Sequence, residues 1–341
     1  MYNYVIVTHI PAFYKVNLYN ELAQKLNIFV VFIASNTAEK RADDFVGLEE
    51  AKFTYEVLYN GNFQGRNVFK NIGKLKIMLH NLSFKKLLIS GWDLGEFWYL
   101  AMTNMPSKNC LALESTIMES NPQGLKGLIK KIFLSRIATV FASGSLHVKL
   151  LEALNYKGEV KITKGVGIIN KPVLTTIKRE YQKRFLYVGR FSSVKNLKLL
   201  IEIFNELPEY SLTLIGDGEQ KKTLRSFAKL NITFKEPIEN KKLQEEFLRQ
   251  DVFILPSLSE PWGLVVEEAL YFGLPVIVSY QCGVSELIEE NQNGYIINPH
   301  DAESLKKAIL KIDNQSYEKL LNGVSLFSIE AKDRQQVKVY L

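Results

Sequence analysis

Two cations, Arg190 and Lys195, straddle the short loop GRFSSVKN (189–196), which follows an apolar run and opens a helical pattern. Cations beside the free N–H groups of a helix start form an anion site suited to a diphosphate. Arg grips phosphate oxygens in pairs, whereas Lys acts as a point charge. The same pair also fits a plain loop with two surface cations. The segment PSLSEPWGLVVEEALYFGLPVIVS (256–279) carries Glu260 after a strand-like run and Glu268 within a helical pattern. Helical spacing puts Leu264, Val265, Glu268, Ala269 and Phe272 on one stripe, so Glu268 is a carboxylate on an apolar side. A carboxylate there accepts hydrogen bonds from paired hydroxyls; a solvated helix face is the alternative for Glu267 and Glu268 alike. Gly263 and Leu264 offer backbone N–H groups at the helix start, a second anion contact. In IGDGE (215–219), Gly216 and Gly218 allow a ligand to approach the backbone closely. KEPIE (235–239), with Glu236 and Ile238, offers backbone contacts to a planar base.

The elements that position these residues are legible as short apolar runs alternating with longer periodic segments, the pattern of βα units and parallel sheets. In the first half the expected strands are Tyr4–Thr8, Ile28–Ala34, Thr54–Leu58, Lys86–Ser90, Asn109–Leu113, Thr139–Ala142 and Val160–Thr163. A helix over 13–26 places Phe13, Val16, Leu18, Leu22 and Leu26 mainly along one side. The polar segment 171–184, with Pro172, is the expected linker. The second half predicts strands at 185–189, 211–216, 232–234, 252–256, 275–279 and 294–298. Helices are expected at 196–207, 219–230, 240–250, 262–273, 284–291 and 301–312. Ligands in such open sheets bind at the carboxyl ends of the strands.

The first half offers further candidates after its strands: His9, then Trp92 and Asp93 in SGWDLGEFW (90–98), and Glu114 in LALEST (111–116). Each has a structural alternative: a packed histidine, core aromatic rings, a carboxylate capping a loop. Charge is uneven. Residues 1–172 carry 21 Lys/Arg against 13 Asp/Glu, and residues 173–341 carry 22 against 23, so the net +7 belongs to the first half. A basic half points either to an anionic partner or to a surface with surplus lysine. GLKGLIKKIFLSR (124–136) and FKNIGKLKIMLHNLSFKK (69–86) mix apolar residues and lysines at helical spacing. Their apolar sides are expected to pack into the core, with an anionic membrane as the alternative partner.

With 341 residues, 47% hydrophobic and 23% charged, the chain is long enough for two domains with full cores. No apolar run approaches the ~20 residues that span a bilayer, and no signal-peptide pattern opens the sequence. Cys110 and Cys282 lie far apart without metal-ligand spacing, which fits a reducing, cytoplasmic setting. Neither half opens with G-x-G-x-x-G, so a nicotinamide dehydrogenase is not expected. Nucleic acid is not an expected partner either, because no recognition motif accompanies the basic half.

GRFSSVKN, LIGDGE and SEPWGLVVEEAL followed by GLPVIVS together resemble the C-terminal half of glycosyltransferase family 4, retaining enzymes of the GT-B fold. The similarity runs over about residues 185–312, and the two glutamates of that family, with seven residues between them, match Glu260 and Glu268. The resemblance implies two Rossmann-like domains facing each other across a cleft. Residues 1–172 would bind the acceptor and 173–315 the nucleotide sugar, and 316–341 would form a helical segment crossing back to the first domain. It implies that Arg190 and Lys195 hold the donor diphosphate, Glu260 the transferred sugar and Glu268 the ribose. No metal or other cofactor is implied, and the chain lacks an Asp-x-Asp motif. The first half departs from the pattern: THIPAFYK (8–15) has no glycine, and Glu114 stands where many members carry histidine. The acceptor-side group, Glu114 with His9, Trp92 and Asp93 nearby, therefore stays open. The expected reaction moves a hexose-type sugar from a nucleoside diphosphate donor, expected to be UDP-linked, to a glycan or lipid-linked glycan in surface polysaccharide synthesis. A nucleotide-sugar epimerase and a non-catalytic nucleotide-sugar binding module remain alternatives.

Overall fold

The computed structural model describes residues 1–39, 42–174 and 178–341. It divides into two compact units, Met1–Ile168 with Asp333–Leu341, and Ile169–Lys332. The boundary thus lies between Ile168 and Ile169 rather than after 172. Of the helical segment 316–341, only 333–341 belongs to the first unit. Part of the expected linker, 175–177, lies outside the described residues.

The first unit holds a seven-stranded parallel sheet. Its strands are β1 (Tyr2–Thr8), β2 (Ile28–Phe32), β3 (Thr54–Val57), β4 (Phe84–Ile89), β5 (Asn109–Leu113), β6 (Thr139–Ala142) and β7 (Glu159–Ile162), in the order β3-β2-β1-β4-β5-β6-β7. Alternate residues of each strand point to opposite faces. Val5, Val7, Leu87 and Ile89 therefore enter one core with Leu75, Phe97 and Phe133 from helices Val68–Asn81, Gly95–Thr103 and Gly124–Leu134. Tyr4, Ile6 and Leu88 enter the other with Val16, Leu18 and Leu22 of helix Phe13–Ala23. That helix stops before Leu26, which the sequence pattern had included. Burial on both faces is the reason the central strands read as near-continuous apolar runs, while the edge strands β3 and β7 are mostly exposed. The second core is closed by the chain end. Tyr340 stacks on Phe141 at 4.4 Å between ring centroids, and the Tyr4 hydroxyl donates to the Tyr340 carbonyl at 3.1 Å.

The second unit holds a six-stranded parallel sheet of β8 (Arg184–Val188), β9 (Ser211–Ile215), β10 (Ile232–Lys235), β11 (Val252–Leu255), β12 (Val276–Ser279) and β13 (Gly294–Ile297), in the order β10-β9-β8-β11-β12-β13. Both sheets reverse their strand order beside their first strand, between β1 and β4 and between β8 and β11. Connections leave opposite faces at such switch points and open a crevice at the carboxyl ends.

One helix is corrected. Residues 284–291 do not form an α-helix; a 3-10 turn spans Gly283–Leu287. The Gly283 N–H donates to the Glu260 carbonyl and the Val284 N–H to the Trp262 carbonyl, so the backbone is spent on a neighbouring loop. Any side chain at 283 would meet the Pro261 carbonyl 2.1 Å away.

Candidate functional site

In the second unit the crevice between β8 and β11 collects the charged candidates. β8 ends at Val188, and after Gly189 comes Arg190, exposed, with its carbonyl accepting from the buried Tyr187 hydroxyl at 2.8 Å. A 3-10 turn, Ser193–Lys195, then leads through left-handed Asn196 (φ 59°) into helix Leu197–Asn205. Asn196 donates to the carbonyls of Pro256 (3.3 Å) and Pro299 (2.8 Å), which fixes this turn against the loop after β11. Across that junction the Lys195 amine forms an ion pair with the Glu260 carboxylate. Both side chains are mostly buried, and burial beside Glu260 raises the Tyr187 pKa well above its ordinary value.

Glu260 is held by its backbone, whose N–H donates to the Gln281 carbonyl at 3.3 Å. Helix Leu264–Tyr271 starts at Gly263, whose φ of 104° and closeness to Leu255 and Val284 exclude a side chain. Its first-turn N–H groups have no partner within the helix, so Gly263 and Leu264 can donate to an anion. Glu268 is buried, and its Oε1 accepts from the Asn240 amide at 2.6 Å. Asn240, Asn170 and Glu268 line a cavity of about 240 Å³, with Phe272 as its apolar wall.

Two candidates differ from expectation. Gly216 (φ 149°) packs so closely that a Cβ would lie 1.9 Å from the Gly189 carbonyl oxygen. Loop-against-loop packing alone therefore accounts for the glycine. Glu236 is exposed, and its carboxylate pairs with Lys221 at 2.7 Å; Ile238 is half-buried.

The largest surprise is Glu267, read from sequence as solvated. It is wholly buried, with one oxygen accepting from the Trp262 indole at 2.5 Å and the other paired with Lys332 at 2.6 Å. Leu264 and Val265, placed on the apolar stripe with Glu268, are only half-buried, whereas Val266 and Glu267 face inward. The second carboxylate of a pair like this gives no signal in sequence, because its partner lies 65 residues away.

The first unit has its own polar cluster at the switch point. His9 after β1 and Asp93 after β4 pair at 2.9 Å. Burial pushes the Asp93 pKa up, but the His9 hydrogen bond and charge outweigh it and hold the carboxyl below its ordinary value. The His9 ring packs edge-on against Phe97 at 5.0 Å. Trp92 packs against the core and lies 6.5 Å from the Phe133 ring, so packing alone explains it. Glu114 after β5 pairs with Lys15 at 2.7 Å. Lys15, which the sequence did not single out, is 5% exposed and also donates to Thr8 at 3.3 Å. Desolvation would lower the Lys15 pKa, yet the neighbouring carboxylate of Glu114 raises it above the ordinary value. His147, buried near Glu114, is kept neutral: burial pulls its pKa down to about 4.

Lys15→Met leaves the Glu114 carboxylate half-buried without its cation, which should cost about 1–2 kcal/mol after allowance for solvent screening. Thermal denaturation should show a fall of a few degrees, and Lys15→Met with Glu114→Leu should recover most of it. Wild-type melting of the single variant would rule out a stabilising pair.

Comparisons with known proteins fit this architecture. Residues 175–322 match the family described as Glycosyl transferases group 1. The sulfoquinovosyl transferase SQD2 of Arabidopsis thaliana is 37% identical over 122 residues, which is 35% of this chain and only 24% of that protein's length. An uncharacterized glycosyltransferase of Haemophilus influenzae is 24% identical over 319 residues, covering 88% of this chain and 86% of its own. The fold of the Anabaena protein Alr3699/HepE, solved in complex with UDP-glucose, superimposes with a TM-score of 0.75 at 15% identity over 99% of each chain. The two parallel Rossmann-like sheets of seven and six strands are the GT-B fold, and the second unit carries the region similar to the group 1 glycosyl transferases.

Proposed function

We propose that the protein is a retaining glycosyltransferase that moves a hexose-type sugar from a uridine diphosphate donor to a glycan or lipid-linked glycan hydroxyl. The observation that carries this reading is the Lys195–Glu260 pair at the carboxyl ends of β8 and β11, with Glu268 and its cavity on the same helix-loop segment. Lys195 and Arg190 grip the diphosphate, and the N–H groups of Gly263 and Leu264 add contacts at the helix start. Glu268, steered by Asn240, takes the ribose hydroxyls. Glu260 takes hydroxyls of the transferred sugar, and the backbone near Glu236 and Ile238 lies along the base. The acceptor oxygen attacks the anomeric carbon on the face from which the diphosphate leaves. A bond to the acceptor forms as the bond to the diphosphate breaks, and a diphosphate oxygen takes the acceptor proton. Glu114, paired with Lys15, and the His9–Asp93 pair handle the acceptor in the first unit. The UDP complex of the similar Anabaena protein supports the choice of base. The basic first half suits a cytoplasmic enzyme working at the inner face of a bacterial membrane in surface polysaccharide synthesis. Among the described residues no helix is long and apolar enough to cross a membrane.

Donor hydrolysis measured across a panel of nucleotide sugars tests the reading, with the fastest turnover expected for a UDP-hexose. Epimerised free nucleotide sugar without transfer would replace it with an isomerase. Glu260→Gln should impair transfer far more than UDP binding. Glu268→Gln should impair both, because the ribose belongs to donor and product alike. The opposite split would exchange the two assignments. Turnover should also persist in EDTA, since the protein's cations neutralise the leaving diphosphate. Loss in chelator with rescue by magnesium or manganese would contradict that.

A further inference from the structure

The helix Gly124–Leu134 is turned the other way from the arrangement its sequence suggests. Leu125, Leu128, Ile129 and Ile132 stand at positions i, i+3, i+4 and i+7 and are exposed by 72%, 54%, 43% and 48%. Its inward side is made by Gly127, Phe133 and Leu134 instead. Gly127 sits so close to the preceding loop that a Cβ would lie 2.0 Å from the Pro122 carbonyl oxygen, which pins this side inward. Four large aliphatic side chains thus form one continuous outward stripe, where scattered single residues would need no explanation.

The stripe is flanked by lysines. Lys126 and Lys131 are exposed on the same helix, while the Lys130 amine is held by the Asn121 carbonyl at 2.8 Å. Lys131 also borders a crevice of about 400 Å³ whose far side carries Lys157 and Asn155. Helix Val68–Asn81, of the same unit, adds exposed Phe69 and Ile77. Helix Gly95–Thr103 packs against both of these helices, so they flank it on one face of the sheet.

We propose that this face docks in the plane of an anionic phospholipid bilayer, with the Leu125–Ile132 stripe entering the acyl boundary and Lys126, Lys131 and Lys157 meeting the headgroup phosphates. The proposal deepens the membrane-facing part of the function proposed above by naming the surface. An apolar stripe between lysines has the chemistry of an interfacial helix. The excess of basic over acidic residues in residues 1–172, 21 against 13, adds longer-range attraction to the same partner. A second copy of this chain is the poorer occupant, because a symmetric pairing through the stripe brings like-charged lysines together.

The test is vesicle co-sedimentation of the full chain, with phosphatidylcholine alone or mixed with phosphatidylglycerol. Wild type should bind the mixed vesicles and not the neutral ones, and added salt should weaken binding. The double variant Leu128→Gln, Ile129→Gln changes only exposed side chains and should bind at least about tenfold more weakly. Lys126→Gln with Lys131→Gln should lose most of the preference for the anionic lipid. No binding by wild type at low salt, or equal binding by the Leu128→Gln, Ile129→Gln variant, would overturn the proposal. So would sedimentation velocity showing a dimer that this variant abolishes, in the absence of vesicle binding. Donor hydrolysis by the variant should equal that of wild type. Absence of any donor turnover in both proteins would count against the proposed reaction and leave the docking result standing.

Discussion

Glu267→Ala should destabilise the second unit by about 3–5 kcal/mol, the range found when one partner of a buried ion pair is removed. The carboxylate serves two buried donors, the Trp262 indole at 2.5 Å and the Lys332 amine at 2.6 Å, and all three side chains are sequestered from water. Truncation leaves an ammonium and an indole N–H with nothing to accept from them, and each pays its full desolvation cost. For a unit of this size the melting temperature should fall by roughly 6–20 °C. Replacing both charges, as Glu267→Leu with Lys332→Met, should recover most of the loss, since well-packed apolar side chains substitute for a buried pair at little cost. Calorimetry or denaturant titration of the three variants decides the matter. A single variant within about 1 kcal/mol of wild type would mean that the pair is not the structural tie the geometry indicates. The consequence reaches the site, because Trp262 and Glu267 flank Gly263 and set the start of the helix that carries Glu268.

Lys195→Ala should weaken UDP binding by ~10-fold to ~100-fold, equivalent to the ~1.5–3 kcal/mol of one charge-assisted hydrogen bond. Arg190→Ala should act in the same direction. The Lys195 variant carries a second penalty that the Arg190 variant lacks. Lys195 is the ion-pair partner of Glu260, so its removal leaves an uncompensated carboxylate facing the incoming anion. Neutralising that carboxylate should therefore help: Lys195→Ala with Glu260→Gln should bind UDP more tightly than Lys195→Ala alone. Such coupling between touching residues is what a double-mutant cycle measures. Isothermal calorimetry on the four proteins supplies the cycle. If Lys195→Ala binds as wild type, Lys195 does not hold the diphosphate. If the second substitution adds to the loss, Glu260 contributes to UDP binding itself and the division of roles between the two glutamates fails.

Much of the fold was legible because parallel strands buried on both faces are written as short apolar runs, as β1, β2, β6, β11 and β12 are, whereas the edge strands β3 (TYEV) and β7 (EVKI) are mostly exposed. The Glu260–Glu268 spacing was legible for a local reason as well. A strand end, a glycine turn at Gly263 and the first turns of a helix follow one another within a single stretch of chain. What depended on distant partners was not legible. Lys15 lies in a helix that would carry a surface lysine equally well; only the arrival of Glu114 from β5 makes it a buried ion. Helical spacing singled out Glu268 and left its neighbour Glu267 to solvent, yet both acids are buried. Lys332 draws Glu267 inward and Asn240 engages Glu268. The pairing of His9 with Asp93 bridges 84 residues and exists because β1 and β4 are neighbours in the sheet. Helix 124–134 shows the limit most plainly. Its periodicity defined an apolar stripe, but periodicity carries no sign. The tight approach of Gly127 to the Pro122 carbonyl, a contact of the folded chain, decides that the stripe faces outward.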